Sequence, residues 1–118
     1  MKTILIIEDD REILELLSDI LEMEDYEVLT AVNGKLGVSK AYEKFPDLII
    51  CDIMMPEMDG YEVLRHIRSN PQTFGTPFLF LTAKADKSDL RHGMELGPDD
   101  YITKPFENKE ILSAIRTR

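Results

Sequence analysis

The residues best suited to chemistry in this chain are acidic, and they come with two companions. Glu8-Asp9-Asp10 follows the apolar residues Ile4 to Ile7, and Asp52 follows Leu48 to Cys51. Thr82 closes a third apolar run, and Lys104 stands directly before Pro105, which keeps it out of a helix or strand interior. Each residue alone has a modest reading. Asp10 reads as the N-cap of a helix starting near Arg11, Thr82 as a β-branched strand residue, and Lys104 as an ion-pair partner. Gathered at one place they imply more. Two carboxylates about 4 Å apart repel by about 4 kcal/mol at an effective dielectric of about 20, so such a cluster demands a cation. The donors are oxygens only, with no histidine or cysteine at ligand spacing, which points to Mg²⁺ rather than zinc. An acidic trio, a hydroxyl and a lysine are also what an anionic phosphoryl group requires for charge neutralisation. Asp10 keeps its capping role, but a cap at Asp9 would leave Asp52 and Lys104 unexplained.

The elements that must position these residues are legible in the hydrophobic pattern. Five apolar runs, Thr3–Ile7, Glu27–Ala31, Leu48–Cys51, Phe78–Thr82 and Tyr101–Ile102, read as strands. The first, third and fourth are nearly continuous, as expected of strands covered on both faces. The second and fifth are weaker, which suits the edges of a sheet. Between the runs lie helical periodicities. They are Ile13, Leu16, Leu17, Ile20 and Leu21; Val38, Ala41, Tyr42 and Phe45, after an Asn33-Gly34 turn; Val63, Leu64 and Ile67; and Ile111, Leu112 and Ile115. A fourth helix around Asp86–Leu96 has the weakest pattern, with only Leu90, Met94 and Leu96 apolar. Strand and helix alternating five times predicts an α/β fold, a parallel sheet with five helices on its two faces. In an open parallel sheet, sites form at the carboxyl ends of the strands. Those ends carry Glu8, Asp9, Asp10, Asp52 and Thr82, with Lys104 just after the fifth strand.

At 118 residues the chain is one domain's worth, residues 1–118, long enough to hide roughly two-thirds of its unfolded surface. Acidic residues outnumber basic ones 23 to 14, a net charge of −9. That balance argues against nucleic acid or an anionic membrane as the direct partner. No apolar run approaches the roughly 20 residues of a membrane span, and the charged Lys2 followed by a strand is not a secretory signal. The single cysteine, Cys51, forms no internal disulfide and fits a reducing cytoplasm, where it reads as a small buried strand residue. Met55 and Met58 read as loop packing, His66 and His92 as surface helix residues, and Pro56 and Gly60 as shaping the loop after strand three, with Asp59-Gly60 a pair typical of turns.

Four segments together resemble the receiver domains of two-component response regulators. They are Ile4-Leu5-Ile6-Ile7-Glu8-Asp9-Asp10, Pro46 to Gly60, Leu81-Thr82-Ala83-Lys84, and Gly97 to Phe106. The resemblance runs from Ile4 to Ile115. It implies a flavodoxin-like, doubly wound sheet of order 2-1-3-4-5, in which strands one and three are central neighbours. It implies Asp52 as phosphoacceptor, attacking a phosphohistidine of a histidine kinase or phosphotransfer protein. It further implies Asp9 as a direct Mg²⁺ ligand, Glu8 supporting the ion through water, and the backbone carbonyl of Met54 completing the protein ligands. Lys104 would contact the carboxylate and then a phosphoryl oxygen. Thr82 would swing its hydroxyl to another, and Tyr101 would follow inward. A phosphoryl group adds about −1.5 to −2 charge, so only the state in which Thr82 reaches it gains. The output surface implied is the fourth helix, fifth strand and fifth helix, binding a partner or a second copy on phosphorylation. Such a domain catalyses its own phosphoryl capture and loss and is not a turnover enzyme. The Lys104–Pro105 bond is expected to be cis.

The chain departs from the family pattern chiefly at Pro98, where a small residue is more usual. This predicts a stiffer entry to strand five. The resemblance implies that phosphoryl lifetime depends partly on the side chains two positions after the phosphoacceptor and the switch threonine, here Met54 and Lys84. An aspartate-nucleophile phosphatase of the haloacid dehalogenase type would need a second aspartate where Met54 stands. A flavodoxin-like cofactor carrier would need a glycine- and hydroxyl-rich loop where Glu8-Asp9-Asp10-Arg11 stands. A degenerate receiver, acting only as an interaction domain, would lack one of the acceptor, acidic pair or lysine.

Overall fold

The computed structural model describes residues 1–83 and 99–118. Its strands are β1 (Thr3–Ile7), β2 (Glu27–Ala31), β3 (Leu48–Asp52), β4 (Phe78–Ala83) and β5 (Asp100–Lys104). They pair in parallel in the order β2-β1-β3-β4-β5, the order the resemblance implied. The weak second and fifth runs are indeed the edges, and β3, buried at all five positions, is the centre. Four helices lie among the described residues: α1 (Arg11–Met23), α2 (Gly34–Lys44), α3 (Gly60–Ser69) and α4 (Asn108–Arg116). The helix expected around Asp86–Leu96 lies outside the described residues, as do Lys84, His92 and Pro98. The C-terminal helix, the fifth of the sequence reading, is therefore α4.

Strand alternation divides the core into two layers, because successive side chains point to opposite faces. Ile4, Ile6, Leu48, Ile50, Leu79, Leu81 and Ile102 pack with Leu14, Leu17 and Leu21 of α1 and with Ile111 and Ile115 of α4. Leu5, Ile7, Ile49, Cys51, Phe78 and Phe80 pack with α2 and α3 through Val38, Ala41, Val63, Leu64 and Ile67. Cys51 is fully buried and free; burial pushes its thiol pKa well up, with Asp52 and Glu8 adding to the effect.

Several local readings are corrected. Leu16, assigned to the buried face of α1, is 51% exposed, while Leu14 is buried instead. At about 100° per residue the stripe centres on Leu14, Leu17 and Leu21, and Leu16 points well away from it. Phe45 is exposed because α2 stops at Lys44 and Phe45 is its C-cap, with φ 48° in the left-handed region. Asn33-Gly34 is a helix start rather than a free turn: the Leu36 amide donates to Asn33 Oδ1 at 2.8 Å. Asp10 is the N-cap of α1, its carboxylate accepting from the Glu12 amide at 2.9 Å.

Gly60 is likewise a helix residue, not a turn residue. Asp59 caps α3, and Gly60 is small because the backbone of the β3 end presses on it. A Cβ there would meet the Asp52 carbonyl oxygen at 2.5 Å and Ile53 Cα at 2.8 Å. Both are backbone atoms and yield poorly. Gly60→Ala is expected to cost about 1–3 kcal/mol, read as a lowered urea midpoint. Gly75→Ala, where a Cβ meets nothing within 4 Å, should leave the midpoint unchanged or slightly raised. Equal midpoints for the two variants would refute the crowding at Gly60.

Candidate functional site

The carboxyl edge of the sheet collects residues from three strands. Ile7 and Cys51 are register partners, so Glu8 and Asp52 each lie one residue beyond that pair. Alternation puts them on the same face, following Ile4 and Ile6 in β1 and Leu48 and Ile50 in β3. Lys104 continues the same face from Ile102 two strands away, and its register partner in β4 is Ala83. Ala83 and Lys104 line one cleft, and the small alanine leaves the lysine stem room to cross the end of β4.

The crossing brings opposite charges together. Lys104 Nζ lies 2.9 Å from Glu8 Oε1 and 3.4 Å from Asp52 Oδ1. Glu8 is fully buried, Asp52 is nearly so, and the lysine side chain is 23% exposed. The other Glu8 oxygen accepts the Asp10 amide at 3.1 Å. Glu8, Asp9 and Asp52 each present a carboxylate oxygen within 4.8 Å of the others. Burial pushes the Glu8 carboxyl up to about 7, against the lowering effect of its Lys104 hydrogen bond. For Lys104 burial works downward, but Glu8 and Asp52 outweigh it and hold the ammonium above the usual lysine value. Three carboxylates against one ammonium leave an excess of negative charge. The donors are hard oxygens, so the pocket suits a hard divalent cation.

Thr82 and Tyr101 belong to the other face. Thr82 follows Phe80 by two residues and is buried, its hydroxyl donating to the Ala83 carbonyl at 3.3 Å. Tyr101 is half-buried, with its ring 5.5 Å from that of Phe80, and burial raises its phenol pKa. The structure thus joins Glu8, Asp9, Asp52 and Lys104, and sets Thr82 at the same edge on the other face, with Tyr101 further back on that face against Phe80. Met54 follows β3 by two residues and is 64% exposed, whereas Met55 is buried as loop packing. The Lys104–Pro105 bond is cis.

Two features of the site escaped the sequence reading. The loop after β3 turns at Glu57, a non-glycine residue at φ 68°, closed by the Met58 amide donating to the Pro56 carbonyl at 2.8 Å. Nothing in a glutamate signals a left-handed backbone. The exposed Leu16 joins Ile13, Pro105 and Phe106 around a cleft of about 340 Å³ beside Lys104. Its one clue was an apolar stripe too wide for a single buried face.

The chain matches the family model of the response regulator receiver domain over residues 4–116. It is 42% identical over 115 residues to the alkaline phosphatase synthesis transcriptional regulatory protein PhoP of Bacillus subtilis, covering 98% of this chain and 47% of that protein. It is 43% identical over 116 residues to the DNA-binding dual master transcriptional regulator RpaA of Synechocystis, covering 98% and 48%. The chain spans about half the length of the curated relatives it matches. A putative response regulator from Chloroflexus aurantiacus superposes with a TM-score of 0.94 at 37% identity, covering 98% of this chain and 95% of that one. The receiver domain of a sensor histidine kinase from Pseudomonas aeruginosa, solved with magnesium in its active-site cleft, superposes at 0.91 with 28% identity, covering 98% and 95%. With this sheet order, this acidic edge and a family match spanning nearly all of its length, the chain belongs to the response regulator receiver domains of two-component signal transduction.

Proposed function

We propose that residues 1–118 form a phosphorylation-competent receiver in which Asp52 accepts a phosphoryl group from a histidine kinase or phosphotransfer protein. The observation that carries this reading is the convergence of Glu8, Asp9 and Asp52 with Lys104 at one sheet edge. An Asp52 oxygen attacks phosphorus, the donor's N–P bond breaks, and its imidazole nitrogen keeps the electron pair. Lys104 neutralises charge on the carboxylate and then on a phosphoryl oxygen. Glu8, Asp9, Asp52 and the backbone carbonyl of Met54 would hold Mg²⁺, which supplies charge neutralisation between the reacting oxygens when bound. Thr82 turns its hydroxyl from the Ala83 carbonyl to a phosphoryl oxygen, and Tyr101 moves inward behind it. The domain catalyses only its own phosphorylation and dephosphorylation.

The readout falls on the segment around Asp86–Leu96, β5 and α4, where a partner or a second copy binds on phosphorylation. The net charge of −9 argues against direct nucleic-acid binding by this domain. Among the described residues no helix is long and apolar enough to cross a membrane; the reading places the domain in the cytoplasm. The donor docks over the apolar cleft of Ile13, Leu16, Pro105 and Phe106. An exposed leucine beside the lysine that meets the phosphoryl group is useful to a protein donor and irrelevant to a small one.

Incubation with a small acyl phosphate and Mg²⁺ is expected to add one phosphoryl group by intact mass, and Asp52→Asn should add none. No gain in the native chain, with either that donor or a purified kinase, would reduce it to an inert interaction domain. Leu16→Asp should slow transfer from a phosphohistidine protein by about tenfold and leave the rate with the small donor unchanged. Equal slowing with both donors would remove Leu16 from docking.

A further inference from the structure

Along β2 the chain runs Glu27-Val28-Leu29-Thr30-Ala31, apolar or β-branched at every position after the first. Among the described residues β2 is an edge strand paired with β1 alone, and an apolar edge is a template for a further strand. Which groups it offers follows from alternation. The Glu27 amide donates to the Lys2 carbonyl at 2.9 Å, and the Ala31 carbonyl accepts the Glu8 amide at 3.0 Å. Glu27, Leu29 and Ala31 therefore turn their backbone groups to β1, and Val28 and Thr30 turn theirs outward. That short row is self-complementary. A two-fold axis at Leu29 sets Val28 of one copy opposite Thr30 of another, antiparallel, on both sides of the axis. Each such pair exchanges both of its N–H···O bonds, so half the bonds of the added ladder end on a Thr30 carbonyl.

Lys40 already holds that carbonyl. It stands on α2 beside the core residue Ala41, and its ammonium donates to the Thr30 oxygen at the open side of the edge. Lysine is a common guard of exposed strands; here the guard comes from the helix that follows the strand. We propose that Lys40 keeps the β2 edge closed, and that with Lys40 withdrawn this edge takes a second copy of the chain as an antiparallel strand. The closure does not depend on the phosphoacceptor reading. Leu29 would then meet Leu29 of the second copy, with Val28 opposite Thr30, pairs that suit a sheet surface. Bulk charge predicts the opposite result: at a net −9 the copies repel, and losing a lysine deepens the repulsion.

Sedimentation velocity over a range of protein concentrations tests this. Lys40→Met is expected to self-associate roughly tenfold or more tightly than the native chain, through the hydrogen bonds the lysine otherwise blocks. Lys44→Met, which removes the same charge from an exposed side chain on α2, should behave as the native chain does. Thr30→Pro added to Lys40→Met removes an outward N–H at an edge position where proline is tolerated, and should restore the native behaviour. Association of Lys40→Met no tighter than native, an equal gain from Lys44→Met, or a dimer that persists with Thr30→Pro overturns the proposal. Should Lys40→Met fail to fold, Lys40→Gln, whose shorter side chain keeps a polar end, replaces it with the same expectation. Loss of the fold in both makes Lys40 a structural tether and overturns the proposal as well.

Discussion

Glu8 is a carboxylate without exposed surface, a short distance from two others, and that crowding constrains the rest of the molecule. Buried charge costs several kcal/mol per ion unless it is paired with good geometry. Its chain neighbours Asp9 and Asp10 carry the same sign and cannot help. The compensating charge comes from Lys104, 96 residues along the chain. It arrives because β5 ends two strands from β3, on the same edge and face, with only an alanine at the end of β4 between them. Sheet order and site are thus one requirement. A different position for β5 would leave the ammonium out of reach, and a bulky residue in place of Ala83 would block its path.

The same alternation that gathers the charges keeps Thr82 and Tyr101 apart from them. Glu8, Asp52 and Lys104 extend the face covered by α1 and α4, while Thr82 and Tyr101 extend the face of Phe80. On the proposed mechanism, a phosphoryl group on Asp52 is read by a hydroxyl reaching around the end of β4. The strands need not slide for this, because Thr82 already sits at the end of β4, its hydroxyl donating to the next carbonyl at a long 3.3 Å. A weak bond of that kind is cheap to exchange for a charge-assisted one.

How legible this was depended on the range of the interaction. The strands were plain because β1, β3 and β4 are buried on both faces and carry unbroken apolar runs, and the weaker runs at β2 and β5 marked the edges. The acidic cluster was plain because its residues end those runs. Helix details were less so. The periodicity that assigned Leu16 and Phe45 to the core registers apolar residues but not where the stripe is centred or where the helix stops. Gly60 looked like a turn glycine since aspartate-glycine pairs are common in turns; its approach to the Asp52 carbonyl is a tertiary contact. Glu57 at positive φ carries no signal in its type. The seat of Lys104 on Glu8 rather than on Asp52 depends on fractions of an ångström between distant segments, beyond the reach of any pattern.

The opposite edge of the sheet is held by a different device, and the contrast bears on how the molecule responds to added charge. At the end of α3, Arg68 donates to the Phe74 carbonyl at 3.0 Å and the Thr76 carbonyl at 2.7 Å, and its guanidinium lies 3.4 Å from Asp99. Asp99 in turn accepts the Phe78 amide at 2.7 Å, at the start of β4. One arginine and one aspartate therefore join α3, the following loop and the entries to β4 and β5. Charge-assisted bonds to backbone fix position more firmly than surface ion pairs do. With the strand entries fixed, a perturbation at the carboxyl edge cannot be absorbed by shifting β4 or β5 along their axes. It must be taken up by side chains and connections at that edge, where Lys104 and Thr82 lie. A rigid base is what converts a local charge into a defined local rearrangement.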